Sequence, residues 1–200
     1  MTSELPFSQA CENNKDPILS VLQDTIANKE SLLEIAGGTG QHAVYFAGHF
    51  PELHWQSSDI PDNVDTLNLR LIDAGLHNLP RALSLDVNQS DWACDRVDAI
   101  FSANSLHIMS TASVENFFRG VGRTLHKGGL LLVYGPFKYG NRFTTESNAQ
   151  FDRWLKARDP ASGVRDFEWI DSLARAQNLQ LLKDHAMPAN NQLLVWKEIG

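Results

Sequence analysis

The stretch LLEIAGGTGQHAVYF, beginning at Leu32, constrains this chain more than any other part of it. SLLEIA (31–36) is a short apolar run ended by glycines, and GQHAVYFAGHF after it sets Ala43, Phe46 and Ala47 on one helical face. That reads as strand, glycine turn, helix. Glycines at such a turn let backbone approach a ligand where a Cβ would collide. The helix that follows offers unpaired N–H groups and a positive dipole end to a polar or anionic group. A nucleotide-type cofactor follows from this local geometry.

The same alternation continues along the chain. Asp16-Pro17 reads as an N-cap and first helical residue, which predicts a helix over 16–28 with Ile18, Leu22 and Ile26 at helical spacing. LHWQSSD (53–59) reads as a strand, and PDNVDTLNLRLIDAGL (61–76) as a helix with Val64, Leu67 and Leu71 inward, closed by Gly75. ALSLDV (82–87) and VDAIFSAN (97–104) are two more strands. SVENFFRGVGRTLHKGG (113–129) is a helix with Phe117, Val121 and Leu125 on its stripe, ended by the glycine pair. LLLVYG (130–135) is too apolar for an exposed edge strand. Such alternation implies a parallel sheet with helices on both faces, joined by right-handed crossovers. After a polar connection, NAQFDRWLKARD and RDFEWIDSLARAQN carry helical spacing. LQLLKDHAM (179–187) and NQLLVWKE (191–198) are separated only by PAN, too short for a helical crossover, so this last pair is antiparallel.

With 200 residues, 42% hydrophobic and 20% charged, the chain fits one globular domain. A formal net charge of −7 and the lack of a basic run argue against a nucleic-acid partner. The opening MTSELPFSQACENNKD has neither a cationic start nor an apolar stretch, and no apolar run approaches the roughly 20 residues of a membrane helix. A soluble, cytoplasmic protein without a membrane partner is expected. Cys11 and Cys94 lack CxxC spacing and read as free thiols. His42, His49, His54, His77, His126 and His185 show no metal-ligand spacing, so no metal is expected.

The glycine loop supports two ligands. Read from Gly38, GTGQHA satisfies GxGxxA, the dinucleotide fingerprint, and Asp59 lies about 20 residues on, placed to accept ribose hydroxyls, which implies an NAD-binding oxidoreductase. Read from Glu34, EIAGGTG resembles the E/D-x-G-x-G-x-G loop of class I S-adenosylmethionine-dependent methyltransferases. Two features favour the second reading. Glu34, Asp59 and Asp86 recur at the carboxyl ends of successive strands, where ligands of open α/β sheets bind. The terminal antiparallel pair also matches the closing strands of that fold.

The blocks ACENNKDPIL, GTGQHAVYFA, SANSLHI, GGLLLVYGPFK, TTESNAQFD and MPANNQLLVW, in this order over nearly the whole chain, resemble the DUF938 (UPF0585) group of methyltransferase-like proteins. The resemblance implies an α/β, Rossmann-like class I methyltransferase fold: a mostly parallel seven-stranded sheet with helices on both faces and a C-terminal antiparallel hairpin. One domain over 1–200 is expected, with an N-terminal cap segment and helix (1–30), a cofactor-binding half (31–135) and a substrate-side loop, helices and hairpin (136–200).

The cofactor implied is S-adenosyl-L-methionine, held by Lys15, Glu34, Ala36, Gly37, Gly38, Gly40, Asp59, Asp86, Val87 and Asn104. Lys15 is expected to face its carboxylate and Asn104 its methionine end. Ala36 departs from the wider motif, which has its first glycine there, and alanine disfavours a positive φ. The expected activity is methyl transfer to a small-molecule acceptor. The alternatives are an NAD-binding oxidoreductase and a catalytically silent S-adenosylmethionine-binding protein. His107 is the expected general base, since imidazole titrates near neutrality, with Tyr134 as second catalytic candidate. Lys138, Arg142, Glu146 and Asn148 lie in the connection beyond them, and Asn190 and Asn191 sit at the last turn.

Overall fold

The structure, a computed structural model, describes residues 5–200, so the first four residues of the expected N-terminal segment lie outside the described residues. The first half of the chain runs α1 (Gln9–Ile26), β1 (Ser31–Ile35), α2 (Gln41–His49), β2 (His54–Asp59), α3 (Pro61–Ala74), β3 (Leu83–Ser84) and β4 (Val97–Ala103). The second half runs α4 (Thr111–Thr124), β5 (Leu125–Gly135), β6 (Phe137–Tyr139), β7 (Arg142–Phe143), α5 (Glu146–Arg158), β8 (Arg165–Asp166), α6 (Phe167–Arg175), β9 (Leu179–Met187) and β10 (Asn191–Glu198). Seven strands form one sheet in the order β3-β2-β1-β4-β5-β10-β9. From β3 to β5 neighbours are parallel, and β10 is antiparallel to both β5 and β9. This is the Rossmann-like architecture expected, with its closing antiparallel pair.

Alternate residues of the same strands feed two separate cores, as the strand pleat requires. Leu32, Phe101, Leu132 and Leu193 face α1, α2 and α3 through Ile18, Leu22, Phe46 and Leu67. Leu33, Ile100, Leu131 and Leu194 face α4 and α6 through Phe117, Phe118 and Ile170. The strand order reverses between β1 and β4, and the crevice above that point is where such sheets take ligands.

Four local expectations change. Helix α1 begins at Gln9, capped by the Ser8 hydroxyl, which accepts from Cys11 N at 3.4 Å, and Pro17 lies inside it. A proline there costs about 3 kcal/mol in an isolated helix. The buried stripe of Asn14, Ile18, Leu19, Leu22 and Ile26 offsets that cost. Strand β3 has only two residues, Leu83 and Ser84. Helix α4 ends at Thr124, and β5 starts at once, so the glycine pair lies within the strand. A Cβ at Gly129 would stand 2.8 Å from His126 O and 3.1 Å from Asp98 O, and the β4–β5 register shifts beside it. The connection expected to be irregular holds β6 and β7, which join β8 from beyond α5 in a small sheet of order β7-β6-β8.

Among the described residues, no helix is long and apolar enough to cross a membrane. On the α4 face of the sheet the Trp92 indole packs against Gly120, where a Cβ would stand 1.8 Å from Cζ2. Trp92 is 4% exposed. Gly120→Ala is therefore expected to destabilise by about 1–3 kcal/mol through overpacking. For a domain of this size that lowers Tm by roughly 3–10 °C, measurable by thermal unfolding. An unchanged Tm would show that the indole can move aside.

Candidate functional site

The glycine loop leaves β1 through three residues in the left-handed region: Ala36 at φ 61°, Gly38 at φ 58° and Gly40 at φ 76°. For Ala36 this conformation costs about 1–2 kcal/mol. The departure from the glycine pattern is thus accommodated as strain at the loop. Gly37 has no room for a side chain, because a Cβ would stand 2.3 Å from Ser57 Oγ and 3.2 Å from a Leu67 methyl. The loop is also pinned by its backbone. Gly37 N donates to Ser58 O at 2.9 Å and Gly38 N to Asp59 Oδ2 at 2.7 Å. Gly40 precedes α2 without a side-chain cap, so the first N–H groups of that helix have no side-chain partner.

Three carboxylates surround the loop. Glu34, 2% exposed, accepts from Ser57 Oγ at 2.7 Å and Trp55 Nε1 at 3.1 Å. Burial pushes its pKa up to about 7 despite those two donors, and the nearby charge of Asp59 adds to the rise. Asp59 Oδ1 accepts from Ile60 N at 2.8 Å and Asn63 Nδ2 at 2.9 Å, so both its oxygens are engaged. Leu85 N donates to Asp59 O at 2.8 Å, carrying Asp86 past the end of β2. There Asp86 closes a turn by accepting from Asn88 N and Nδ2, both at 2.9 Å, while Val87 is buried in the core on the α4 face.

The other side of the crevice is formed at the ends of β4 and β5. Asn104, half-buried at φ 56°, donates its N–H to Tyr134 O at 2.9 Å. His107, 7% exposed, lies edge-on to Phe151 at 5.2 Å between ring centroids. Burial, and then the charge of Arg165, lower its pKa to about 4, so it is neutral at pH 7 and a weaker base than a free imidazole. Tyr134 sits in the core on the α1 face, with its hydroxyl near Asn14 and Asn191, and burial raises its pKa.

The structure therefore brings Glu34, Gly37, Gly38 and Asp59 into contact, with Asp86 one loop away. His107 and Tyr134 are separated onto opposite faces of the sheet. Lys15 does not join the loop: it pairs with Glu12 and lies 5.0 Å from the Tyr45 ring. The unbroken α1 turns Asn14 inward and leaves Lys15 on the outer side. Lys138 lies over the Phe143 ring, Glu146 binds Arg153, and Arg142 is exposed on β7. Asn148 Nδ2 bonds Asn190 O at 3.0 Å, tying α5 to the last turn.

Sequence reasoning missed one polar residue beneath the site, His42. His42 Nε2 donates to Asn14 Oδ1 at 2.6 Å, and burial lowers the His42 pKa to about 4. Helical spacing of His42 with Phe46 was the available signal for its inward position. Among the described residues, no group of three or more His, Cys, Asp or Glu is arranged to hold a metal ion.

A family model described as "Protein of unknown function (DUF938)" matches residues 5–198. The fold is similar to that of an O-methyltransferase family protein from Burkholderia thailandensis, with TM-score 0.81, 16% identity, and coverage of 93% of this chain and 56% of that one. Human N-acetylserotonin methyltransferase, solved in complex with SAM, gives TM-score 0.79 at 14% identity, covering 96% and 53%. An O-methyltransferase family 2 protein from Planctomyces limnophilus, solved with apigenin, gives TM-score 0.79 at 16% identity, covering 95% and 58%. The chain thus spans little more than half the length of these solved chains, and at such identities the likeness is one of fold.

The buried Glu34 makes a pH prediction. Its raised pKa leaves folding unaffected by this group below about pH 4.5 and penalises it increasingly up to about pH 7. Glu34→Gln removes that penalty. The stability difference between the variant and the parent, followed by urea unfolding, is expected to move by about 3 kcal/mol in the variant's favour between pH 4.5 and 7.5. A difference independent of pH would mean that Glu34 ionises as it does in water.

Proposed function

The chain belongs to the DUF938 family, and from that premise we propose that it is an S-adenosylmethionine-dependent methyltransferase acting on a small-molecule acceptor. The observation that carries this reading is the loop at the end of β1. Its Gly37 has no space for a Cβ, and Glu34, Asp59 and Asp86 stand around it at the ends of β1, β2 and the β3 segment. The similar folds solved with SAM and with apigenin support it. The NAD-binding alternative rests on GTGQHA and Asp59, which both readings share, and leaves the buried Glu34 without a role.

The residues fit the cofactor in kind. The N–H groups at the start of α2 suit its carboxylate, the buried Glu34 suits cationic charge, and Asp59 suits ribose hydroxyls. Asp86 and Val87 would border the adenine and Asn104 the methionine end. When bound, S-adenosylmethionine supplies an electrophilic methyl group for in-line displacement. The chain's own contribution is to hold the acceptor in line, exclude water and accept a proton where the acceptor has one to lose. His107 Nδ1 or Nε2 serves as that base, while Tyr134 supports the end of β5 from the other face. Ile108, next to His107, and Trp154, stacked on the Phe151 that faces His107, are 60% and 51% exposed, an apolar surface suited to a small organic acceptor. In this reading residues 31–135 form the cofactor half and 136–200 the acceptor side.

Thermal unfolding with S-adenosylmethionine, S-adenosylhomocysteine, NAD and NADH tests the cofactor. The two sulfur nucleosides at about 100 times Kd are expected to raise Tm by roughly 5–10 °C, and the two dinucleotides not at all. A shift with NAD or NADH instead would overturn the reading. Asp59→Ala is expected to lose the shift. His107→Asn is expected to keep it but to stop S-adenosylmethionine consumption with a metabolite pool; no consumption by the parent protein would favour a silent binding protein. Because a cationic ligand favours ionised Glu34, affinity should strengthen as pH rises through about 7, with proton release visible by calorimetry in buffers of different ionisation enthalpy.

A further inference from the structure

The turn that carries His107 is too short to satisfy its own carbonyl groups. Ile108 N and Met109 N both donate to Ser105 O, at 2.9 and 3.2 Å, which leaves the carbonyls of residues 106–109 pointing away from the turn. Each of those four is taken by one distant segment. Arg165 Nε donates to Leu106 O at 3.0 Å, Gly163 N to His107 O at 2.9 Å and Ser162 Oγ to Ile108 O at 2.8 Å, while Arg165 Nη2 bonds Met109 O. Buried backbone groups left unpaired are costly, so four consecutive bonds to one segment define where the turn can lie.

We infer that residues 161–165 are the device that sets the position of His107, with Arg165 as its positioning residue. This rests on the reading of His107 as the base. Arg165 is 9% exposed, and its Nη2 also bonds Ala161 O at 2.8 Å, so the guanidinium closes the segment on itself while gripping the turn. The segment is fixed in turn by α5. Val164 N donates to Asp152 Oδ1 at 2.8 Å, and a Cβ at Gly163 would stand 2.9 Å from that oxygen. Helix α5 also supplies Phe151, so one element orders both the backbone and the ring face of His107. The charged group that acts on His107 is Arg165 from β8, which in turn feels Asp152 from α5 and Asp159 from the connection between them. Burial and the Arg165 charge keep the imidazole neutral, while a planar fork is needed to hold two turn carbonyls at once.

The test is amide hydrogen exchange and histidine NMR titration on the whole chain without ligand. Arg165→Gln and Arg165→Lys are both expected to speed exchange at Ile108 and Met109 about tenfold, leaving Ile100 and Phe101 of β4 unchanged. The His107 titration midpoint is expected to rise with glutamine and to stay low with lysine, which separates charge from grip. Ser162→Ala, a milder change, is expected to give roughly a fivefold effect at Met109, whose N–H shares a peptide unit with the Ile108 carbonyl. Unchanged exchange in the turn, or equal acceleration in turn and strand, would overturn the inference. If His107→Asn leaves methyl transfer intact, the base assignment fails while the exchange data still decide the positioning role.

Discussion

A carboxylate buried at the end of β1 ties the glycine loop to the neighbouring strand. Glu34 draws Ser57 and Trp55 from β2, and Gly37, one turn later, fills the only space that the Ser57 hydroxyl leaves. Ser58 and Asp59 then take the next N–H groups of the loop. Four of the last five residues of β2 are thus committed to holding one loop, and the loop has one path past them. The start of α2 and the direction of Asp59 both follow from that path.

Such a site has to carry ionisable groups out of water, and the costs fall on opposite sides of neutrality. Ionising Glu34 opposes folding increasingly up to about pH 7, whereas protonating His42 or His107 opposes it as pH falls below 6.5 towards 4. The groups beneath the crevice are best tolerated where the carboxyl is still partly protonated and both imidazoles are neutral. A cationic ligand relieves the first of these costs. Strain at Ala36 is a further local penalty at the same place, consistent with a loop shaped for binding more than for stability.

Much of the fold is legible locally. The β1–α2 unit is signalled by an apolar run, glycines and a helical stripe that lie within one short window, and the closing hairpin is dictated by the length of PAN. The errors arise where two local signals compete. Ser8 and Asp16-Pro17 both offer a start for α1. The choice falls to Ser8 because the longer helix buries Asn14 against His42 and leaves Lys15 outside. The glycine pair after α4 resembles a helix end, yet it serves a strand that must pass close to Asp98 O. His107 and Tyr134 both look like crevice residues because both lie near strand ends. Pleat parity places Tyr134 in the α1-side core and Gly135 against His107.

By itself the sequence determined the order of the main-sheet strands and the helices between them, the antiparallel end and the identity of the loop with its three carboxylates. These depend on periodicity, chain length and glycine, which act over a few residues. Only the tertiary structure decided which polar groups meet. Arg165 reaches Leu106 across 59 positions and Glu34 reaches Trp55 across 21. Burial sets the protonation of Glu34, His42 and His107, and burial is a property of packed layers that no local pattern encodes.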